Sequence, residues 1–381
     1  MKTILLISQY KFPEGDAGSV RFYNMALSLQ TLGYRVIVIG LGNEGTPFNE
    51  LLYKGIKYYT LRSANKYSTY FLFLFRVMKM LRNIKNKMSV DSIILGTSFP
   101  DVLLGLQIYC SFYKILLVKD VVEWYSSKQF KLGIFSFQYI LKNLENKYFL
   151  MKRTRIISIS HYLYTSFSKR GFFTVRIPIF FNMKEAPSCI KKYDGKLQIV
   201  YAGSPGKKDY LDAFLNGLFL LDDFELSQIR VVIVGVDDRA LRALVADKVY
   251  SKVSSVLLIM GKRKREETLN IIAQSNFSVF LRDSDARYAK AGFPTKSIES
   301  FFCGTPIICN ISSDLGDFLI DGKNSFIVKS LKESDVAYTL RRALKLTPQE
   351  IQEMSHNAKM ICGEKFDIIS YQNEFVQLLS V

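Results

Sequence analysis

The feature that most constrains this chain is a unit that occurs twice: an apolar strand, a glycine-bearing loop, a helix and a second strand. The first copy places a strand at 4–8, a loop at 13–18, a helical pattern from Ser19 to about Leu32 stopped by Gly33-Tyr34, and a strand at 35–40. The second places a strand at 197–202, a loop at 203–208, a helix at 209–221 and a strand at 229–234 closed by Gly235. Units of this kind build parallel sheets, because the helix carries the chain back to start the next strand alongside the last. Further apolar runs at 91–95, 114–118 and 156–159 extend the first half, and runs at 255–260, 277–281 and 305–309 extend the second. Between them, 184–196 is polar, holds Pro187 and Gly195, and reads as a linker. A chain of 381 residues also exceeds what one core usually supports. The predicted class is therefore α/β, with two doubly wound Rossmann-like domains at 1–185 and 190–365. The helical tail 366–381 can pack back on the first domain.

Composition excludes several alternatives. No run of apolar residues is long enough for a transmembrane helix. The apolar opening run ends at Gln9-Tyr10-Lys11 without a small-residue cleavage site, so a buried first strand is expected instead of a leader. Five scattered cysteines with no C-x-x-C pair argue against a disulfide frame or a zinc site, and two histidines argue against histidine-based metal chemistry. The net charge of +18 is uneven: residues 51–90 hold nine Lys/Arg and no Asp or Glu. The basic, aromatic stretch 66–87 can be a helix lying on an anionic membrane leaflet, a nucleic-acid contact, or a core helix with a solvated basic face. Its basic positions 76, 79, 82 and 85 drift around a helix and hold no single stripe.

The richest local signal lies at 288–308. A small loop, Ala291-Gly292-Phe293-Pro294-Thr295, opens a short helix with Lys296 and Glu299, and a Gly304-Thr305-Pro306 turn leads to an apolar strand. Amides at a helix start, a lysine and an acid one turn later suit a phosphate and the hydroxyls of a ribose. A second loop, Gly203 to Lys208, also follows a strand; Gly203 and Gly206 let backbone approach an anion, and Lys207 and Lys208 can neutralise a diphosphate. It is neither a P-loop nor a dinucleotide fingerprint. Asp283-Ser284-Asp285 matches a metal-binding D-x-D pair formally, but Arg282 and Arg287 flank it, so a self-neutralised loop is expected. In the first half, Asp120 and Glu123 stand at a strand end beside Trp124, the chain's one tryptophan. Carboxylates beside a ring suit sugar recognition, and either acid can act as a proton carrier; Asp120 can equally cap a helix. His161 begins a helix with no partner acid nearby in sequence and reads as structural.

These residues together resemble the family 4 (group 1) retaining glycosyltransferases of the GT-B fold, in which two Rossmann-like domains face each other across a cleft. The likeness spans essentially the whole chain and is nearest to bacterial enzymes of capsule, lipopolysaccharide or exopolysaccharide assembly. Gly18 and Arg21 fall in a loop similar to the family's acceptor-side glycine loop, which implies an acceptor role for them and for Trp124. The resemblance implies donor binding by Gly203, Lys207, Lys208, Gly261, Arg282, Gly292, Phe293, Thr295, Lys296 and Glu299. Within that set, Glu299 would hold the ribose and Lys296 the diphosphate. It departs from the family at Ala291, where the first glutamate of the E-x7-E element is expected, and in lacking the family's first-domain histidine. Asp120 or Glu123 occupies roughly that strand end, and with Lys208 they are the catalytic candidates.

What the resemblance implies is a metal-independent transfer of a sugar, with retention, from a nucleoside-diphosphate sugar to a lipid-linked or growing surface polysaccharide. No metal and no resident cofactor are expected. The partners expected are a nucleotide-sugar donor, a glycan or lipid-linked acceptor and an anionic membrane surface; nucleic acid is not. The setting expected is cytoplasmic, peripheral on the inner face of the membrane, with 66–87 toward the lipid. A catalytically inactive nucleotide-binding subunit and a sugar-nucleotide 2-epimerase are the competing readings.

Overall fold

The computed structural model describes residues 1–381 except 14, 43–48, 63–65, 189, 190, 192, 193, 205–207 and 381. Contacts divide the chain into two compact units. One is Met1–Asn182 with Ala291–Phe293 and Ile368–Val381; the other is Met183–Lys290 with Pro294–Asp367.

The first unit holds an eight-stranded sheet: β1 (Thr3–Lys11), β2 (Arg35–Gly42), β3 (Leu51–Tyr53), β4 (Ile56–Arg62), β5 (Ser92–Leu95), β6 (Leu116–Val121), β7 (Arg155–Ser158) and β8 (Thr174–Arg176). Their order is β3-β4-β2-β1-β5-β6-β7-β8, and every pairing is parallel except β3 with β4. Leu5, Leu6 and Ile7 of β1 are all fully buried, as expected for a strand covered on both faces. The β3–β4 hairpin turns on Lys54 and Gly55, both at positive φ (45° and 83°), the twist that suits a two-residue turn. The C-terminal helix Gln372–Leu379 belongs to this unit: Phe375 is buried against Phe180, and the Leu378 carbonyl accepts from Arg155 Nη1 at 2.7 Å.

The helix Lys66–Lys85 has the burial pattern of one of the three readings of that stretch, a core helix with a solvated basic face. Phe73, Val77, Met80, Leu81 and Ile84 recur every three or four residues and are all buried. Its apolar stripe therefore fills the core, while Lys79, Arg82 and Lys85 on its other side are exposed. Leu72 and Phe75 are the large apolar side chains it leaves exposed among the described residues.

The second unit holds β9 (Leu197–Ala202), β10 (Ile229–Val234), β11 (Leu257–Gly261), β12 (Phe277–Phe280), β13 (Ile307–Cys309) and β14 (Ser325–Ile327). All pairings are parallel, in the order β11-β10-β9-β12-β13-β14. Ile199, Val231, Ile233 and Phe277 pack against Phe214, Leu218, Val336 and Leu340 from the covering helices, all buried. The strand order grows one way from β9 to β11 and the other way from β12 to β14. The crevice between the carboxyl ends of β9 and β12 is thus the topological switch point, where such sheets bind ligands.

Candidate functional site

At that switch point the second unit concentrates charge. Gly203 follows β9 with φ 138°, and its amide donates to the Val234 carbonyl at 2.8 Å. A Cβ at this glycine would lie 2.5 Å from Nζ of Lys296, so the absent side chain is what lets the lysine cross the loop. Lys296 rises from the first turn of the helix Thr295–Phe302 and makes an ion pair with Asp209. Its Nζ also lies 3.1 Å from the Tyr201 hydroxyl and 4.5 Å from the centre of that ring. Arg282, just past β12, reaches the other oxygen of Asp209 with Nε at 3.3 Å and lies over Phe280, 4.5 Å from its centre. The Arg282 backbone is pinned by Asn310, whose Oδ1 accepts from its amide at 2.9 Å and whose Nδ2 donates to its carbonyl at 2.7 Å.

Two cations thus share one carboxylate, leaving a net positive charge at the strand ends. Burial lowers the pKa of Lys296, while Asp209 beside it works in the other direction. The Tyr201 phenol is pushed up by burial and by Asp209, so it stays protonated and donates to that carboxylate at 3.0 Å. Pro294 precedes the helix and provides no side-chain cap, so the helix start keeps the anion preference of its dipole. The Ser297 hydroxyl in that first turn is buried with no hydrogen-bond partner.

Three glycines form the adjoining floor. The Gly235 amide donates to the Gly261 carbonyl at 2.7 Å, Gly261 has φ 61°, and a Cβ on Gly235 would meet the Gly203 backbone at 2.8 Å. Glu299 is ion-paired with Arg265, which opens the helix Arg265–Gln274 after β11. Lys208 is half-buried, and its carbonyl accepts from the Tyr288 hydroxyl at 3.3 Å. Lys207 lies outside the described residues. Gly292 and Phe293 group with the first unit, as does Ala291, whose buried carbonyl accepts from Ser160 Oγ at 2.7 Å.

In the first unit the expected acceptor and acid/base residues take a different arrangement. Arg21 Nε and Nη2 hold both oxygens of Asp120 at 2.9 and 2.8 Å, and its remaining donors go to the carbonyls of Pro178 and Ile177 at 2.7 and 3.0 Å. Both side chains are buried, so Arg21 is an internal strut and Asp120 its counter-ion. That corrects the reading of Arg21 as an acceptor contact and of Asp120 as an open proton carrier. Trp124 is buried as well, stacked near Phe167 with Nε1 donating to Asn143 at 2.8 Å, which corrects its reading as a sugar platform. Gly18 allows the Tyr10 ring to close on the helix Ala17–Thr31, whose start Asp16 caps through the amides of Gly18 and Ser19. Glu123 remains half-buried, next to the Tyr125 hydroxyl, whose pKa is pushed up by burial and by that carboxylate.

Residues 183–360 match the family model for glycosyl transferases, group 1. The chain is a glycosyltransferase. Its fold is GT-B. A sucrose-phosphate synthase from Thermosynechococcus elongatus superposes with a TM-score of 0.74 at 14% identity, covering 99% of this chain and 98% of that one. Anabaena HepE in complex with UDP-glucose gives 0.70 at 14% identity and full coverage of both chains. WaaG, a glycosyltransferase involved in lipopolysaccharide biosynthesis, gives 0.69 at 14% identity, covering 99% of each. No curated protein matches the chain by sequence.

Several residues that organise this glycosyltransferase carry no sequence signal. Asp209 reads as an ordinary residue before a helix, yet it gathers Lys296 from 87 positions away and Arg282 from 73. Lys119 alternates with apolar neighbours in β6 and is nonetheless fully buried. Its Nζ donates to the Gly96 carbonyl at 2.6 Å and lies 3.6 Å from Glu145. Asn310 and Arg265 are equally invisible to spacing. The one hint in the sequence was the lysine-rich, glycine-bearing loop after β9, which precedes Asp209.

Proposed function

We propose that this glycosyltransferase transfers a sugar, with retention, from a nucleoside-diphosphate sugar to a lipid-linked or growing surface polysaccharide. The observation that carries the donor half is the pair Lys296 and Arg282 on Asp209 at the switch point, beside the glycine floor. A diphosphate arriving there offers both cations a second anion and neutralises their excess positive charge. The anomeric carbon–oxygen bond to the diphosphate breaks, the acceptor hydroxyl attacks from the same face, and its proton passes to the departing phosphate oxygen. Lys296, Arg282, Lys208 and the helix start stabilise the charge that grows on the leaving group, the kind of electrostatic device that supplies most of many rate enhancements. On this reading no metal is required, since the two cations occupy the role a divalent ion would fill. Gly261 borders the base, Glu299 holds the ribose once it leaves Arg265, and Glu123, whose carboxylate is engaged with the Tyr125 hydroxyl, is the acid assigned to the acceptor side. The binding of UDP-glucose by Anabaena HepE supports uridine as the first base to test, and the lipopolysaccharide role of WaaG supports a surface-glycan acceptor. An enzyme working on such an acceptor would be cytoplasmic and peripheral on the membrane.

The test is a melting curve with UDP, GDP and dTDP in EDTA, followed by turnover of the matching nucleotide-sugars. Stabilisation by one nucleotide that disappears in Lys296→Ala, with sugar transfer, is the expected result. No shift with any of them sinks the donor site. Ala291 supports a second reading, a nucleotide-binding subunit without transfer, which predicts a shift but no turnover of any donor.

A further inference from the structure

Between residues 132 and 148 the first unit leaves six large apolar side chains exposed: Leu132 (70% exposed), Ile134 (58%), Phe135 (77%), Phe137 (69%), Ile140 (40%) and Tyr148 (72%). They ride on a short turn, Gly133–Phe135, on the helix Phe137–Leu144 and on the π-helical turn Glu145–Phe149 that continues it. The inward side of the segment is anchored. Phe130 packs edge-on to Tyr125 at 5.3 Å and near Tyr139 at 6.4 Å, and Asn143 holds the Trp124 indole. The outward apolar side chains are therefore displayed by a fixed platform, and folding has left them wet.

The exposed charge within the segment itself has one sign. Lys128, Lys131 and Lys147 are exposed, and from 126 to 153 the only carboxylate is Glu145. That carboxylate is buried and occupied by Lys142 at 2.7 Å and Lys119 at 3.6 Å, so it offsets nothing at the surface. A second copy of the chain meeting this face about a two-fold axis would bring the same lysines together, which disfavours self-association. No helix of the described residues is long and apolar enough to cross a membrane. Apolar side chains rimmed by lysine on a short amphipathic element match a surface that lies in the interface of an anionic bilayer.

We propose that residues 128–148 form a membrane-docking platform. Leu132, Ile134, Phe135 and Phe137 enter the interfacial layer of an anionic phospholipid leaflet, and Lys128, Lys131 and Lys147 meet its headgroups. The platform is favoured over the helix Lys66–Lys85 as the lipid-facing element, because the described apolar stripe of that helix is spent on the core. It deepens the lipid-linked acceptor proposed above, and its test reads lipid binding apart from nucleotide binding.

The full chain is sedimented with vesicles of phosphatidylglycerol and phosphatidylcholine in equal parts, and with phosphatidylcholine alone. The expected result is retention on the anionic vesicles that falls with salt, and at least about tenfold weaker partition onto the neutral ones. Phe135→Ser with Phe137→Ser lowers partition by more than about tenfold, and Lys128→Glu with Lys131→Glu by about tenfold or more. Leu72→Ser with Phe75→Ser leaves it unchanged. Each variant is checked for an unaltered melting temperature. Retention of a chain that shows no nucleotide-induced shift supports the platform while counting against the donor reading. Failure of the wild-type chain to bind anionic vesicles overturns the platform, as does equal retention of the Phe135/Phe137 variant. A wild-type dimer that this variant splits, without vesicle binding, overturns it in favour of a second copy.

Discussion

Each unit carries an aspartate gripped by cations at the carboxyl edge of its parallel sheet, and the two arrangements serve opposite ends. Asp120 in the first unit receives one guanidinium, Arg21, in a bidentate pair whose side chains are almost completely shielded from solvent. Asp209 in the second receives two cations, and the side chains of Lys296 and Arg282 keep partial exposure. One cluster is neutral and closed, while the other is positive and open. The difference lies in stoichiometry and exposure, and in placement: Asp120 is in β6 itself, whereas Asp209 stands in the connection between β9 and the next helix. A balanced buried pair has nothing left to offer a ligand, whereas an unbalanced half-open one is stabilised by an arriving anion.

The largest effect that would break this contrast comes from the closed pair. Asp120→Ala leaves Arg21 buried without a counter-ion and should cost about 3–5 kcal/mol of stability, read by urea unfolding. A change within experimental error would mean that the pair is not closed. Next, Lys296→Ala should leave stability nearly intact while lowering kcat/KM for donor turnover by about 10²–10³, the scale set by losing one group that stabilises the leaving charge. If unfolding free energy falls and turnover survives, the roles of the two clusters have been exchanged.

A third test uses pH. Burial, opposed mainly by Glu145, depresses the pKa of Lys119 from 10.5 to about 8. Between those values the unfolded chain keeps a proton that the folded chain has released. Stability contributed by this group therefore rises with pH across that window and falls as pH returns toward 8. Lys119→Met should flatten that slope in unfolding titrations, and an unchanged slope would show that the lysine stays charged in the fold. The smallest effect is expected at Gly203→Ala, where φ 138° and the nearness of Lys296 make any side chain strained. It should cost about 1–3 kcal/mol and weaken the nucleotide-induced shift by displacing the lysine. A fully stable variant with normal nucleotide binding would separate the glycine from the cluster.

Much of the fold was legible in the chain. The strands found at Thr3–Lys11, Arg35–Gly42, Leu197–Ala202 and Ile229–Val234 lie where apolar runs predicted them, because a strand buried on both faces must be continuously apolar. The strands Leu51–Tyr53, Thr174–Arg176 and Ser325–Ile327 are three residues each, too short to show a period, and Ile56–Arg62 lay within the lysine-rich block. For the candidate site, Gly203 and Lys296 were singled out from their places after a strand and at a helix start, and Arg282 only through the family resemblance; the structure brings all three to one strand-end crevice. Arg21, Asp120 and Trp124 were misplaced because a charged or aromatic residue at a strand end looks the same in sequence whether it turns inward or outward. In the basic stretch 66–87 the three readings stayed open in sequence because its charge marks only the polar side, whereas burial was decided by the apolar stripe of Phe73, Val77 and Ile84.

By itself the sequence determined the two parallel α/β units, because alternation of apolar strands with helical segments is a local property that each stretch carries alone. It also determined the glycine positions where backbone must turn or approach closely. Only the tertiary structure decided which charges meet: Arg21 with Asp120 across 99 positions, and Asp209 with Lys296 across 87. Periodicity cannot make those pairings, since the energy of a charge depends on the solvent removed from it and on the partner brought within reach. Both are set when the sheet stacks distant strand ends side by side.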